Sequence, residues 1–235
     1  MNIVKIGNRD WLLEVDLDGG RIYNLAFNNQ IILGTFERID GKKGNTHVCV
    51  PNFANEGVNK YGFLFHGPFR NETWQVSNKS NMALEIKCEI DGLLVTQFFR
   101  LTDGFSQDIE VLNNSNEKKK VNLAVHNYWD TEFGWQGTKL NGVDITDGIK
   151  TNTEIRLKNT NIIEIVGKKN IIWKVENFKF AKLWTGVKQE NGINSYDKKY
   201  ICIEPEMEFE GYVETEKSWL EIGRKINLRQ SFRLE

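Results

Sequence analysis

Apolar residues recur at every second position along most of this chain, and that spacing leaves few architectures open. In 82–90 the even positions are Met82, Leu84, Ile86, Cys88 and Ile90, while the odd ones from Glu85 onward are charged. Side chains alternate across an extended strand, so such a segment buries one face and wets the other. Trp11, Leu13, Val15 and Leu17 repeat the pattern before a turn at Asp18-Gly19-Gly20. Arg21 to Phe27 then reads as a second strand, Asn28-Asn29 as a tight hairpin turn, and Gln30 to Leu33 as a third strand. Further strands are expected at 93–101, 107–113, 119–126, 153–158, 161–166, 171–176, 200–204, 206–214, 218–222 and 225–234. Asp91-Gly92, Asp103-Gly104, Asn141-Gly142 and Asp147-Gly148 fall between these runs, where connections belong. No segment of ten or more residues carries a 3.6-residue apolar stripe. So many short strands cannot bury their apolar faces in one sheet, and the sequence predicts an all-β fold, a large antiparallel sandwich.

A chain of 235 residues suffices for one such domain spanning 1–235, and no Pro/Ser-rich linker or low-complexity tract divides it. The net charge is -1, and the longest basic run, Lys118-Lys119-Lys120, follows Asn113-Asn114-Ser115-Asn116 and reads as a solvated turn. That is no footprint for a nucleic acid. Nothing approaches the run of about 18 apolar residues that a membrane helix needs. The N-terminal segment turns polar before the apolar region of a signal peptide could form. Cys49, Cys88 and Cys202 make no CxxC pair and leave an odd thiol, which fits a reduced, cytoplasmic setting.

Chemistry is expected on the segments that are not strand-like. The longest, Arg38 to about Asn71, holds His47, His66 and two of the three prolines; a second, Tyr128 to Lys139, follows His126. In 119–126, Val121, Leu123 and Val125 share one face, which leaves His126 on the other at the strand's end. In 200–204 the isoleucines take one face and Tyr200, Cys202 and Glu204 the other. A carboxylate closing such an apolar strand is costly to bury unless it is hydrogen-bonded or used, and burial would raise its pKa towards the range of a general base. The aromatic stretch Tyr61–Val76 sets His66 and Arg70 four residues apart, a mix of stacking surfaces and oriented donors suited to a polyhydroxylated ligand.

The segment His66-Gly67-Pro68-Phe69-Arg70-Asn71, with Trp74 shortly after, resembles the HG-x-x-R-x-x-x-W segment of the aldose 1-epimerase (galactose mutarotase-like) family. Thr46-His47-Val48-Cys49-Val50-Pro51-Asn52-Phe53 is similar to the family's G-x-P-x-x-x-P-x-F stretch. Val125-His126-Asn127-Tyr128-Trp129 resembles its H-x-Y-F element, with Trp129 in the Phe place, and Tyr200-Ile201-Cys202-Ile203-Glu204 resembles the late strand that carries the catalytic Glu. The matches keep the family's order and reach from about residue 19 to 234. They imply a β-supersandwich and an isomerase acting on a small-molecule sugar, with no cofactor and no metal. Glu204 would be the general base towards the anomeric hydroxyl and His126 the general acid towards the ring oxygen. His66 and Arg70 would bind hydroxyls, with Trp74, Tyr128 and His47 as further substrate-binding residues.

The chain is shorter than most members. The Asp with which larger members bind a sugar hydroxyl has no clear counterpart, since Asp144, Asp147 and Asp197 sit in no matching motif. Other readings stay open: a non-catalytic carbohydrate-binding module of the same fold; a metal site from His47, His66, His126 and a carboxylate; a glycosidase pairing Glu204 with Glu132 or Asp130. A phosphorylated sugar would call for added basic groups, for which Arg21, Arg70 and Lys60 are candidates.

Overall fold

The computed structural model describes residues 1–130, 139–140, 143–144, 153–157, 162–165 and 171–234. Among these, two antiparallel sheets of nine and seven strands face each other across one extended apolar core. The first sheet runs in the order Ile3–Gly7, Trp11–Asp16, Arg21–Phe27, Gln30–Gly34, Ala124–Asp130, Tyr200–Glu206, Phe180–Trp184 and Thr153–Arg156, with His47–Cys49 also paired to Ala124–Asp130. The second runs Ile162–Ile165, Ile171–Glu176, Lys225–Leu234, Phe105–Asn113, Leu93–Leu101, Ala83–Ile90 and Gln75–Lys79. The antiparallel sandwich expected from the spacing is thus the fold observed. In the described residues the α-helical content is the single turn Val58–Tyr61.

Alternation located the inner faces. Leu84, Ile86 and Cys88 are buried, as are Trp11, Leu13, Val15 and Leu17. Asn28 and Asn29 both adopt positive φ, the backbone of a two-residue hairpin. Several boundaries differ from expectation. The strand expected at 119–126 is broken: Lys119–Lys120 pairs with Trp219–Leu220, and a new strand starts at Ala124 and continues to Asp130. His126 is therefore mid-strand rather than at an end, and Tyr128 to Asp130 are strand, not loop. Tyr200–Glu206 runs on through Pro205, whereas 206–214, expected as strand, leaves the sheet and closes in a 3-10 turn at Tyr212–Glu214. Ile3–Gly7, Gln75–Lys79 and Phe180–Trp184 were not anticipated, being short or lacking a clean charged face. Lys120 is not solvated: it is buried, its ammonium 4.2 Å from the Trp219 ring centroid and donating to the Thr215 carbonyl.

The core between the sheets is not purely apolar. Gln97, Gln107 and Gln230 stand in phase with the buried residues of their strands, and each is at most 1% exposed. Gln97 Nε2 donates to the Gly20 carbonyl (3.0 Å), Gln107 Nε2 to Gln97 Oε1 (2.6 Å) and Gln230 Nε2 to Gln107 Oε1 (2.5 Å). Asn127 Nδ2 then donates to Gln230 Oε1 (2.9 Å). This chain of amides crosses from the second sheet to Ala124–Asp130 in the first. Replacing Gln107 by Leu would strand the Gln97 oxygen and a Gln230 N–H in the interior, at about 1–3 kcal/mol for each orphaned group. Urea unfolding of Gln107→Leu is therefore expected to show a loss of about 2–4 kcal/mol; a loss below about 0.5 kcal/mol would show that the amides do not tie the sheets.

Candidate active site

The chain has three histidines, and the fold brings all of them to one place on the outer face of the first sheet. The register explains how. His126 lies opposite His47 on one side. On the other, the register that pairs Ala124 with Glu206 and Asn127 with Ile203 sets His126 across from Glu204. Glu204 in turn lies opposite Lys182. Residues opposite one another share a face, so His47, His126, Glu204 and Lys182 form one row across four strands. Their chain neighbours Val48, Val125, Ile203 and Leu183 point into the core. The next row along the same face is Tyr128, Cys202 and Trp184. Tyr128 lies parallel to the His126 ring, with centroids 4.8 Å apart at 9°.

The wall that carries His66 is built by the loop that follows Pro51. His66 has φ +59 and Gly67 φ +72. A Cβ on Gly67 would stand 1.7 Å from the Val50 carbonyl oxygen, so the residue after His66 has to be glycine. The Trp74 indole donates to the Phe69 carbonyl at 3.0 Å, and Trp74 is packed in the core cluster. Trp74 thus supports the loop from below and does not line the cleft, a correction to its expected contact with substrate. His66, Arg70, Tyr128 and His47 do line it, with His126 and Glu204. The cleft measures about 740 Å³.

Lys60 lies elsewhere, donating to the Glu214 carbonyl. Asp197 accepts from the Ile39 N–H at 2.9 Å and serves the loop rather than the cleft. The side chains of Asp144, Asp147 and Glu132 lie outside the described residues. The carboxylates lining the cleft, among the described residues, are Glu204 and Glu210, and Asp130 is not one of them.

Sequence reasoning missed Lys182, Glu210, Arg38 and Trp184. For Lys182 a signal existed: in Phe180-Ala181-Lys182-Leu183-Trp184 the small and apolar residues alternate with Lys182 in the opposite phase.

Hydrogen bonds fix the imidazoles. His47 Nδ1 meets the Asn45 carbonyl at 2.8 Å and so carries the proton, which leaves Nε2 as a buried acceptor with no partner. His66 Nδ1 accepts the Ala54 N–H at 3.2 Å, so its Nε2 is the donor. The Cys49 thiol also approaches that Nδ1, at 3.3 Å. His126 Nε2 stands 3.1 Å from Glu204 Oε1, but off the axis of a hydrogen bond, and Oε1 and both His126 nitrogens have no other partner. Two sets of donor atoms, on His47, Cys49 and His66 and on His126, Cys202 and Glu204, each lie within 4.8 Å of one another. In the first, the His66 lone pair is already spent on Ala54.

Burial governs the charges. Desolvation, helped by Arg70, lowers His47 to about 3, and desolvation with His47 and Arg70 lowers His66 to about 2. His126 is pushed well below the ordinary histidine value by desolvation first, then by His66, His47, Arg70 and Arg38. Desolvation raises Glu204 well above the usual carboxylate range, and Lys182 opposes it. Glu206, two residues on and fully buried, is raised to about 10, again mainly by desolvation. Histidine NMR across pH 5–8 is therefore expected to show His47 and His66 as neutral rings with no midpoint near 6.5. The unfolded chain takes up these protons below about 6.5 and the native state does not, so stability should fall with pH by up to about 1.4 kcal/mol per histidine per unit. A midpoint near 6.5 for His47 or His66 would overturn this reading.

No family model and no curated protein matches the sequence. Solved structures do match in fold. A provisionally named aldose 1-epimerase of Escherichia coli K12 superposes with a TM-score of 0.76 at 15% identity, covering 99% of this chain and 98% of that one. A galactose mutarotase-like protein of Clostridium acetobutylicum gives 0.74 at 15% identity, covering 99% and 95%. Another, of Lactobacillus casei ATCC 334, gives 0.71 at 13% identity, covering 99% and 100%. At such identities the backbone is what is shared. The chain has the galactose mutarotase-like fold that its motifs suggested, over 99% of its length.

Proposed function

We propose that the protein interconverts the α and β anomers of an aldose by acid–base opening and reclosure of the hemiacetal ring. The observation that carries this reading is the 3.1 Å approach of His126 Nε2 to Glu204 Oε1 within a cleft lined by aromatic rings and hydrogen-bonding groups. A sugar at the pair would lose its anomeric O–H proton to the Glu204 carboxylate. As O1 becomes a carbonyl oxygen, the C1–O5 bond breaks and O5 takes a proton from the His126 imidazolium. Rotation about C1–C2 and the reverse transfers on the other face give the opposite anomer. The pair begins and ends with one proton between its members, so the cycle is balanced without any other reactant. Burial favours that proton on Glu204 with His126 neutral, which is the state of the pair beside the open-chain sugar. His66 Nε2–H and the Arg70 guanidinium would donate to hydroxyls, His47 Nε2 would accept from one, and Tyr128 would offer a stacking face.

The decisive comparison is the relaxation of fresh α-D-glucose and α-D-galactose with wild type and Glu204→Gln. Wild type should accelerate equilibration and the variant should lose at least about 100-fold, the lower bound for one positioned acid–base group. Sugar binding that survives the mutation, with no acceleration by either protein, would instead favour a carbohydrate-binding module.

A phosphorylated aldose is favoured by one further feature. Arg21 and Arg70 both line the cleft, Arg21 donates to the Arg70 carbonyl, and the Nε of each is buried without a partner. Neither makes an ion pair within the described residues. Two guanidiniums held together attract an anion well. On this reading Arg21→Met raises the KM for glucose 6-phosphate about tenfold or more and leaves that for glucose unchanged. Equal effects on the two sugars would remove the phosphate from the proposal.

A further inference from the structure

Lys182 and Glu210 flank the base, yet the reaction just described gives them nothing to do. Lys182 stands across the ladder from Glu204, on the cleft face, and is 7% exposed. Its ammonium is ion-paired to the exposed Glu210 carboxylate and lies 5.6 Å from the Phe53 ring centroid. Removing an ammonium from water costs several kcal/mol unless a partner offsets it, and one partner on the rim is thin compensation for so deep a position. Such an arrangement is expected where the charge itself is used.

Among the described residues, the charged and titratable groups that act on the pair or stand beside it come from several elements. His47 and Cys49 come from the His47–Cys49 strand, and His66 and Arg70 from the loop after it. Arg38 comes from the Phe36–Gly44 hairpin, Tyr128 from the strand of His126, and Cys202 and Glu206 from the strand of Glu204. Lys182 and Glu210 stand beside the base, and Arg21, Lys42 and Lys43 line the same cleft. Burial keeps His47, His66, the thiols, the phenol and Glu206 uncharged. Of the fixed charges in the cleft, Arg70 and Arg38 disfavour a proton on His126, and the Lys182–Glu210 pair acts on Glu204. Without Lys182 the arginines would drive the shared proton onto the carboxylate and disarm the base.

Resting on the acid–base reading above, we propose that Lys182, tethered by Glu210, is a positioning residue whose charge draws the shared proton from Glu204 towards His126. The carboxylate is then bare when the sugar arrives. Glu210 is the counterweight: it holds the ammonium in place and moderates its field.

The test is the pH dependence of kcat/KM for mutarotation in wild type, Lys182→Met, Lys182→Arg and Glu210→Gln. Loss of a positive charge raises the pKa of both members of the pair, so Lys182→Met should move both limbs of the profile up by about one unit. Its kcat should fall about tenfold, the equivalent of that shift, and Lys182→Arg should restore both. Loss of a negative charge acts in the opposite sense, so Glu210→Gln should move the limbs down. A merely structural ion pair would lower activity in both variants without moving the limbs, or would move them in one common direction; either result overturns the proposal. If Lys182→Met does not accumulate as folded protein, the downward shift in Glu210→Gln and the wild-type profile of Lys182→Arg decide the matter. Glu204→Gln separates the two levels. Full activity there defeats the acid–base reading itself, whereas an inactive Glu204→Gln beside unmoved limbs in Lys182→Met defeats the role of Lys182 alone.

Discussion

The register between Ala124–Asp130 and Tyr200–Glu206 is the constraint on which the rest of the site depends. It brings together residues 78 positions apart in the chain, and it sets His126 and Glu204 on the same face because opposed residues in a ladder share one. The period of a strand is two, so a slip of one residue would turn His126 and Glu204 into the core and Val125 and Ile203 out into the cleft. The apolar residues that alternate with the polar row thus do two things at once. They supply the inner surface of the sandwich, and they make any other register costly. His47 and Lys182 extend the row to four members by the same logic, from strands that have no other reason to be near one another.

The electrostatic character of the cleft follows from its depth. Among the described residues, six cationic ones line it (Arg21, Arg38, Lys42, Lys43, Arg70 and Lys182), against the carboxyl groups of Glu204 and Glu210, in a chain of net charge -1. The His47 and His66 imidazoles at its floor are neutral because they are 5–6% exposed and surrounded by that positive field. Their tautomers are set by backbone partners, Asn45 for His47 and Ala54 for His66, so one ring presents an acceptor and the other a donor. Ligand hydroxyls, which both donate and accept, suit a wall of this kind better than ions of either sign would suit the floor.

Much of this was legible in the sequence, and the limits are physical. Alternation identified the sandwich and the inner faces of Trp11–Asp16 and Ala83–Ile90, because those strands have a wetter side. It misread 119–130, where Val121 to Trp129 are all buried and period two carries no contrast. It also missed Phe180–Trp184, a five-residue strand whose single charge, Lys182, is buried and leaves no exposed face to set its phase. The motif around His66 was readable, but its Trp74 belongs to the support of the loop, a distinction that depends on where the indole N–H finds its acceptor. The phase of Lys182 can be read from its neighbours, but its place beside Glu204 comes from the register, which a linear sequence does not contain.

The amides at the centre of the sandwich have a bearing on how the molecule comes apart. Asn127 is bonded into that chain while its neighbour His126 stands in the cleft, so a single strand is gripped from both sides. Dispersion contacts can be loosened by degrees, but a hydrogen bond between buried amides is either made or left orphaned, and the intermediate states are the expensive ones. The sheets should therefore part as a unit, and the row of His47, His126, Glu204 and Lys182 should have no melting transition of its own.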